Sequence, residues 1–306
     1  MLLVPSCGIW FGASTPSRDG TYDYVRGLAE YEAVAQNTPD ILHFYKTGAR
    51  NFPTSAEIAS AERPGLQRSL LFYNWKPSSR YTWRQTADGA ADAEIATIAA
   101  GIKAYPHKLF LTIYHEPEDN VNPSAGSGMQ PQDYAAMYRR VVDKLREAGV
   151  SNAVLVWNVM GYSGWRQYYD ALYPGDSYVD WVAYDPYARN NVFDDLVDLV
   201  NRGRPELGWP GFYSWATSKA PGKPIMWAEW GVDLITNRNP TAMISIDPNV
   251  IADRYPKLKA IVYWHQLGVG NYRLDDNNGL GRSFGTAFRQ LANDQVFNAM
   301  TPNGAP

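Results

Sequence analysis

Leu109-Phe110-Leu111-Thr112-Ile113-Tyr114-His115-Glu116 is a run of apolar and β-branched residues that leads straight into a histidine and a glutamate. Pro117 follows and cannot continue a central strand, because it has no N–H for the ladder. A short apolar run closed by a breaker reads as a buried strand. A carboxylate where such a strand stops is held by rigid backbone and faces whatever lies at the strand's end. Pro224-Ile225-Met226-Trp227-Ala228-Glu229-Trp230-Gly231 repeats the design, a buried run ending in a glutamate and a glycine.

Working outward from these two stretches, six further runs read as strands: 8–12, 41–45, 69–74, 153–158, 179–184 and 260–264. With 109–114 and 225–228 they make eight. Helical patterns alternate with them over 22–36, 88–104, 131–148, 165–172, 193–202, 212–218, 249–255 and 283–293; Gly149 stands where a C-terminal cap belongs. Alternating β and α units demand a parallel sheet covered by helices, and eight of them predict a closed (β/α)8 TIM barrel. An open doubly wound sheet would carry a glycine-rich phosphate loop after its first strand, and Gly8-Ile9-Trp10-Phe11-Gly12 has none. No break in composition divides the chain. The expectation is therefore a single α/β domain over residues 1–300, with Thr301–Pro306 as a linker or tail.

Composition narrows the class. The 306 residues carry a net charge of -3, which gives no basic surface for nucleic acid or an anionic membrane. No apolar run reaches the ~20 residues of a membrane span, and Met1–Cys7 lacks the form of a signal peptide. The single cysteine, Cys7, excludes an internal disulfide. The unusual quantity is aromatic content, 14% with 11 Trp and 21 Tyr. Flat faces with polar edges suit sugar rings, although a tryptophan-rich core would account for the same number.

Active sites of such barrels lie at the C-terminal ends of the strands. There the chain places His43 and Tyr45, Asn74 and Trp75, His115 and Glu116, Trp157 and Asn158, Asp185 and Tyr187, Glu229 and Trp230, Trp264 and His265. Glu116 and Glu229, on strands four and seven, can face each other across the mouth. Two carboxylates flanking a cleft are the machinery of glycoside hydrolysis: one stays protonated and serves the leaving oxygen, the other stays ionised. A lone glutamate after a strand is more often an ion-pair partner or a helix cap; two in matching contexts with an aromatic rim point to chemistry. His115 alone would read as structural, and its place beside Glu116 favours contact with substrate. Asp185 and Tyr187 could equally cap and pack. Trp75, Trp157 and Trp264 are expected to line the cleft as sugar platforms.

Other chemistries fit less well. His115-Glu116-Pro117-Glu118-Asp119 lacks the second histidine of a zinc-protease helix. Four histidines and one cysteine make a zinc site improbable. The 275–279 stretch resembles a calcium loop with its glycine out of register, and reads as a turn. No Gly-x-Ser-x-Gly elbow follows a strand.

Three separated motifs resemble glycoside hydrolase family 26, a family of retaining (β/α)8 glycanases that includes β-mannanases, β-1,3-xylanases and β-1,3-1,4-glucanases. They are His115-Glu116, Glu229-Trp230-Gly231, and the segment Tyr173–Tyr187 between them. The resemblance implies that Glu116 is the acid/base and Glu229 the nucleophile. It implies further that Tyr187 hydrogen-bonds the nucleophile and that Arg273 binds substrate after strand eight. The sequence departs from the mannanase pattern twice. Glu118-Asp119 stands where those enzymes have asparagine and glycine, and Lys76 follows Trp75 where they have histidine.

The expectation is a secreted, monomeric retaining hydrolase of a β-linked polysaccharide, endo-β-mannanase-like, with no cofactor or metal. Glu116 and Glu229 are its catalytic pair. Its substrate-binding residues are His115, Tyr187, Trp75, Trp157, Asp185, Trp230, Trp264, Arg273 and Lys76. The alternatives are a β-glucanase, β-xylanase or bacterial cell-surface glycan hydrolase of the same fold, and a non-catalytic carbohydrate-binding barrel.

Overall fold

A computed structural model describes residues 2–276, 279–297 and 299. The expected tail, 301–306, and positions 277–278 of the calcium-like stretch lie outside the described residues. Eight parallel strands form the barrel: β1 Trp10–Ser14, β2 Ile41–Thr47, β3 Leu70–Lys76, β4 Leu109–Ile113, β5 Ala153–Val159, β6 Trp181–Tyr184, β7 Ile225–Val232 and β8 Leu258–Trp264. Each pairs with the next, and β8 closes onto β1 with Trp10 opposite Ala260 and Ser14 opposite Trp264. A two-residue extension, Tyr187–Ala188, pairs with Gly231 and Val232 at the top of β7.

Strand side chains alternate between two cores, as the period of two requires. Inside the barrel lie Trp10, Ile41, Phe72, Phe110, Val156, Trp181, Met226 and Val262, with others. Between barrel and helices lie Phe11, Leu42, Tyr73, Leu111, Trp157, Val182, Trp227 and Tyr263. The bottom is closed by the chain's start: Leu3 and Val4 pack on the inner core, the Trp10 indole donates to the Leu3 carbonyl (2.8 Å) and the Trp181 indole to the Leu2 carbonyl (2.6 Å).

The helical layer follows the sequence with local differences. Asp23 caps the helix Tyr24–Ala35 by accepting from the amides of Val25 and Arg26. The expected helix 88–104 begins only at Asp92 and runs to Ala104, because Gly89 takes a φ of +103°; a separate short helix, Trp83–Ala87, precedes it outside the expected range. The helix Ser55–Ala61 lies outside the expected set, yet its signal is present: Thr54 and Glu57 form a reciprocal capping box.

Candidate active site

Glu116 is presented by strained backbone. β4 ends at Ile113, and the Tyr114 amide then donates to the Trp75 carbonyl (2.8 Å). Tyr114 and Glu116 both adopt left-handed conformations, with φ of +58° and +49°. Such angles are unfavourable for residues with a Cβ and persist where the surroundings impose them. They turn the chain sharply around His115, and Pro117–Asn120 continue as a short 3-10 turn.

Glu229 is presented by an irregular strand. β7 and β8 pair Trp227 with Ile261 but Trp230 with Tyr263, so β7 carries one extra residue there. A bulge of this kind re-aims side chains: Ala228 faces the inner core, Trp230 the outer one, and Glu229 projects at the mouth. Gly231 is needed for space, since a Cβ on it would come within 2.6 Å of the Tyr272 ring.

The carboxyl groups of Glu116, Asp185 and Glu229 each place an oxygen within 4.8 Å of the others. Glu229 receives two hydroxyls, Tyr45 Oη on Oε1 and Tyr187 Oη on Oε2, both at 2.7 Å. Asp185 accepts from the Asn158 amide group (2.9 and 3.1 Å) and from the Glu229 backbone N–H (2.9 Å). It thereby holds the strand segment that carries Glu229. The three oxygens would also admit a cation, but four of the six carboxylate oxygens already carry a protein donor, which favours an acid–base role.

Electrostatics separates the two glutamates. Burial, then the nearby Glu229 carboxylate, pushes Glu116 up to about 8, so it holds its proton at neutral pH. Burial raises Glu229 too, opposed by the Tyr45 and Tyr187 hydroxyls and by Lys76. Hydrogen bonds and a cation favour the ionised form, so of the two Glu229 is the one built to carry charge. Burial raises Asp185 well above its ordinary value. His115 is kept neutral by burial and by the Lys76 ammonium, and its ring lies edge-on to Tyr45 at 5.5 Å.

The remaining expected site residues divide. Lys76 sits over the Tyr114 ring (4.7 Å), and burial lowers its pKa while Glu116 and Glu229 oppose the change. Trp264 stands at the mouth, edge-on to Tyr187 at 5.8 Å and against Tyr272 at 5.4 Å. Trp75, Trp157 and Trp230 are corrections. Each is fully buried in the layer between barrel and helices: Trp75 donates to the Gly48 carbonyl (2.9 Å), Trp157 packs on Tyr173 and Trp215, and Trp230 on Tyr263 and Phe288. Asn74 and Asn158 face inward, and adjacent residues of a regular strand point to opposite faces; at Trp230 the bulge in β7 resets that alternation. Arg273 is a further correction. It is 1% exposed, and its guanidinium is spent on Asp275, Glu30 and the Pro16 carbonyl, which leaves none of it for a sugar.

Tyr45 and Asn158 stand in the expected ring without an expected role, and they are donors that fix Glu229 and Asp185. The signal that finds them is strand parity. Counting in twos from the inner-core residues reaches Tyr45 on β2, Lys76 on β3, Asn158 on β5, Asp185 just beyond β6 and Trp264 on β8.

The chain resembles known carbohydrate-active proteins. The glycosyl hydrolase family 26 model matches residues 92–204. Endoglucanase H of Acetivibrio thermocellus is 26% identical over 269 residues; the match takes in 84% of this chain and 28% of that protein, so the chain spans little more than a quarter of its length. Among solved structures, a β-mannanase from Bacteroides ovatus superposes with a TM-score of 0.63 at 18% identity, covering 95% of this chain and 90% of that one. A β-mannanase from a symbiotic protist of the termite Reticulitermes speratus, bound to a gluco-manno-oligosaccharide, superposes with a TM-score of 0.63 at 14% identity, covering 95% and 88%. At such identities the structural likeness speaks for the fold.

Proposed function

We propose that the chain is a member of glycosyl hydrolase family 26, whose model matches residues 92–204, and that it hydrolyses a β-linked polysaccharide, mannan-like in its backbone, by double displacement with retention. The observation that carries the reading is the carboxyl cluster at the mouth, with oxygens of Glu116 and Glu229 within 4.8 Å. That spacing suits a retaining pair, whose carboxyl groups lie about 5–5.5 Å apart, better than the roughly 6.5–9.5 Å of an inverting one. Glu229, held by two tyrosine hydroxyls, attacks the anomeric carbon. Glu116 gives its proton to the leaving oxygen; once the glycosyl ester has neutralised Glu229, Glu116 takes a proton from the attacking water. Tyr187, His115, Asp185, Lys76 and Trp264 border the reacting sugar.

The likeness to Endoglucanase H favours a second substrate, a β-glucan, on the same machinery. A polymer that cannot cross a membrane implies a secreted enzyme of polysaccharide degradation, and one mouth with its own full set of groups implies a working monomer. The test is release of reducing ends from mannan, glucomannan, β-glucans and xylan, with the anomer of the first product read by proton NMR. A β-product first supports retention, and an α-product first overturns it. No turnover on any β-glycan would favour the non-catalytic binding barrel.

A further inference from the structure

Beyond Lys76, one wall of the mouth carries residues that the chemistry above does not use. From Lys76 outward runs a cleft of about 560 Å³, within the size range of small-molecule sites. Its walls are the turn after β3, with Ser78, Arg80 and Thr82, and the Tyr114 ring and Asn120 after β4. The walls are held in place from behind. The Ser78 amide donates to buried Glu94 (2.8 Å), which also pairs with Arg80 (3.2 Å). Thr82 caps the helix Trp83–Ala87, and the Arg84 amide donates to the Gly128 carbonyl (3.0 Å), tying the loop after β4 to that helix.

The charge of this cleft runs against that of the chain. The molecule carries -3 overall, yet among the described residues no aspartate or glutamate lines the cleft, whereas Lys76 and Arg80 do. Lys76 faces inward by its place on β3, rests on the Tyr114 ring at 4.7 Å and makes no ion pair among the described residues. A half-buried ammonium with free donors, framed by hydroxyls and an aromatic face, is matched by a sugar that brings its own carboxylate, through a charge-assisted hydrogen bond.

We propose that this cleft is a subsite for an acidic sugar: the glycan cleaved here carries a uronic acid unit beside the scissile bond, with its carboxylate on Lys76 and its ring against Tyr114. The proposal rests on the glycanase reading and adds the class of unit that reading leaves open.

The test uses β-linked oligosaccharides that contain glucuronic acid, assayed before and after carboxyl reduction, which converts each uronate to a neutral hexose. The quantity read is the ratio of kcat/KM on the two forms, so a general loss of rate cancels. The ratio is expected at about tenfold or more in favour of the acid, arising in KM, and falling as salt screens the contact. Lys76→Met should bring it near one, and Lys76→Arg should keep most of it. If Lys76→Met does not fold, the salt dependence of the unmodified protein and the Lys76→Arg ratio still decide. Equal rates on both forms, or a preference that Lys76→Met and salt leave intact, overturn the proposal alone. A protein that cleaves nothing, activated dinitrophenyl glycosides included, overturns the glycanase reading and this proposal together.

Discussion

At the scale of the residue, the site is defined by how differently two glutamates are treated. Glu229 accepts two hydroxyls, while burial and a neighbouring carboxylate drive Glu116 from 4.5 to about 8. In the unfolded chain Glu116 ionises at its ordinary value, so between about 4.5 and 8 the folded state keeps a proton that the unfolded state has lost. Stability attributable to this group therefore falls as pH rises through that window. Glu116→Gln should raise stability by about 1–3 kcal/mol at pH 8 and by close to nothing at pH 4, measured by thermal melts at both. The same proton sets the basic limb of activity, so kcat/KM should decline as pH passes about 8. The roles separate chemically. Glu116→Ala should still attack a dinitrophenyl glycoside, accumulate its glycosyl ester and turn over again with azide, giving a β-azide. Glu229→Ala rescued by azide should give the inverted α-azide by direct displacement; a β-azide from Glu229→Ala with an α-azide from Glu116→Ala would require the two roles to be exchanged. The hydroxyls on Glu229 are tested by Tyr45→Phe and Tyr187→Phe. Each removes a bond to an ionised group worth about 1.5–3 kcal/mol, so the acid limb of the pH profile should move upward and kcat should fall about tenfold or more.

At the scale of the element, parity on each barrel strand decides which side chains reach the mouth. Leu71, Tyr73 and Trp75 share the outer face of β3, while Leu70 and Phe72 share the inner one. Tryptophan at a strand end is thus no sign of a sugar platform unless its parity is inward, as it is for Trp264. Trp157→Ala should cost about 3–5 kcal/mol of stability and leave KM of the remaining folded enzyme within about twofold. Trp264→Ala should do the reverse, with a raised KM and a melting temperature changed by no more than a few degrees. Guanidinium melts and initial rates on the same preparations would show which tryptophan belongs to which layer. A KM that rose with Trp157→Ala alone would contradict the assignment. Where regular strand geometry fails, at the bulge in β7 and the left-handed pair around His115, the chain carries its two glutamates. Local irregularity is what aims both carboxylates at one point.

At the scale of the whole molecule, closing the barrel converts eight separate strand ends into one rim. The opposite end is stoppered by the first residues, whose carbonyls receive the indoles of Trp10 and Trp181. A chain begun at Pro5 would leave two buried indole N–H groups without partners, at about 1–3 kcal/mol each. Its melting temperature should drop by several degrees while kcat/KM on a soluble substrate stays within about twofold, because the stopper and the rim share no residues. A large loss of activity without loss of stability would show that the two ends of the barrel are coupled.

The order of the strands, most of the helices between them, the closed barrel and the place of Glu116 and Glu229 at its mouth were legible in the sequence. Apolar runs, breakers and caps are local signals, and alternation of β and α leaves few ways to bury both faces of a sheet. The same runs also located Asp185 and Trp264 on the ring. Only the tertiary structure decided what these groups meet. Trp75 and Trp157 lie under the helices because adjacent residues of a regular strand point to opposite faces, and Trp230 because the bulge in β7 resets the alternation. Arg273 is consumed by Glu30 and Asp275, of which Glu30 lies far away in the chain. The pairing of Tyr45 and Tyr187 with Glu229 joins residues 184 and 42 positions apart. The pKa of Glu116 follows from burial and from a carboxylate on another strand. Such contacts carry no periodicity along the chain, since they exist only once the ring has closed.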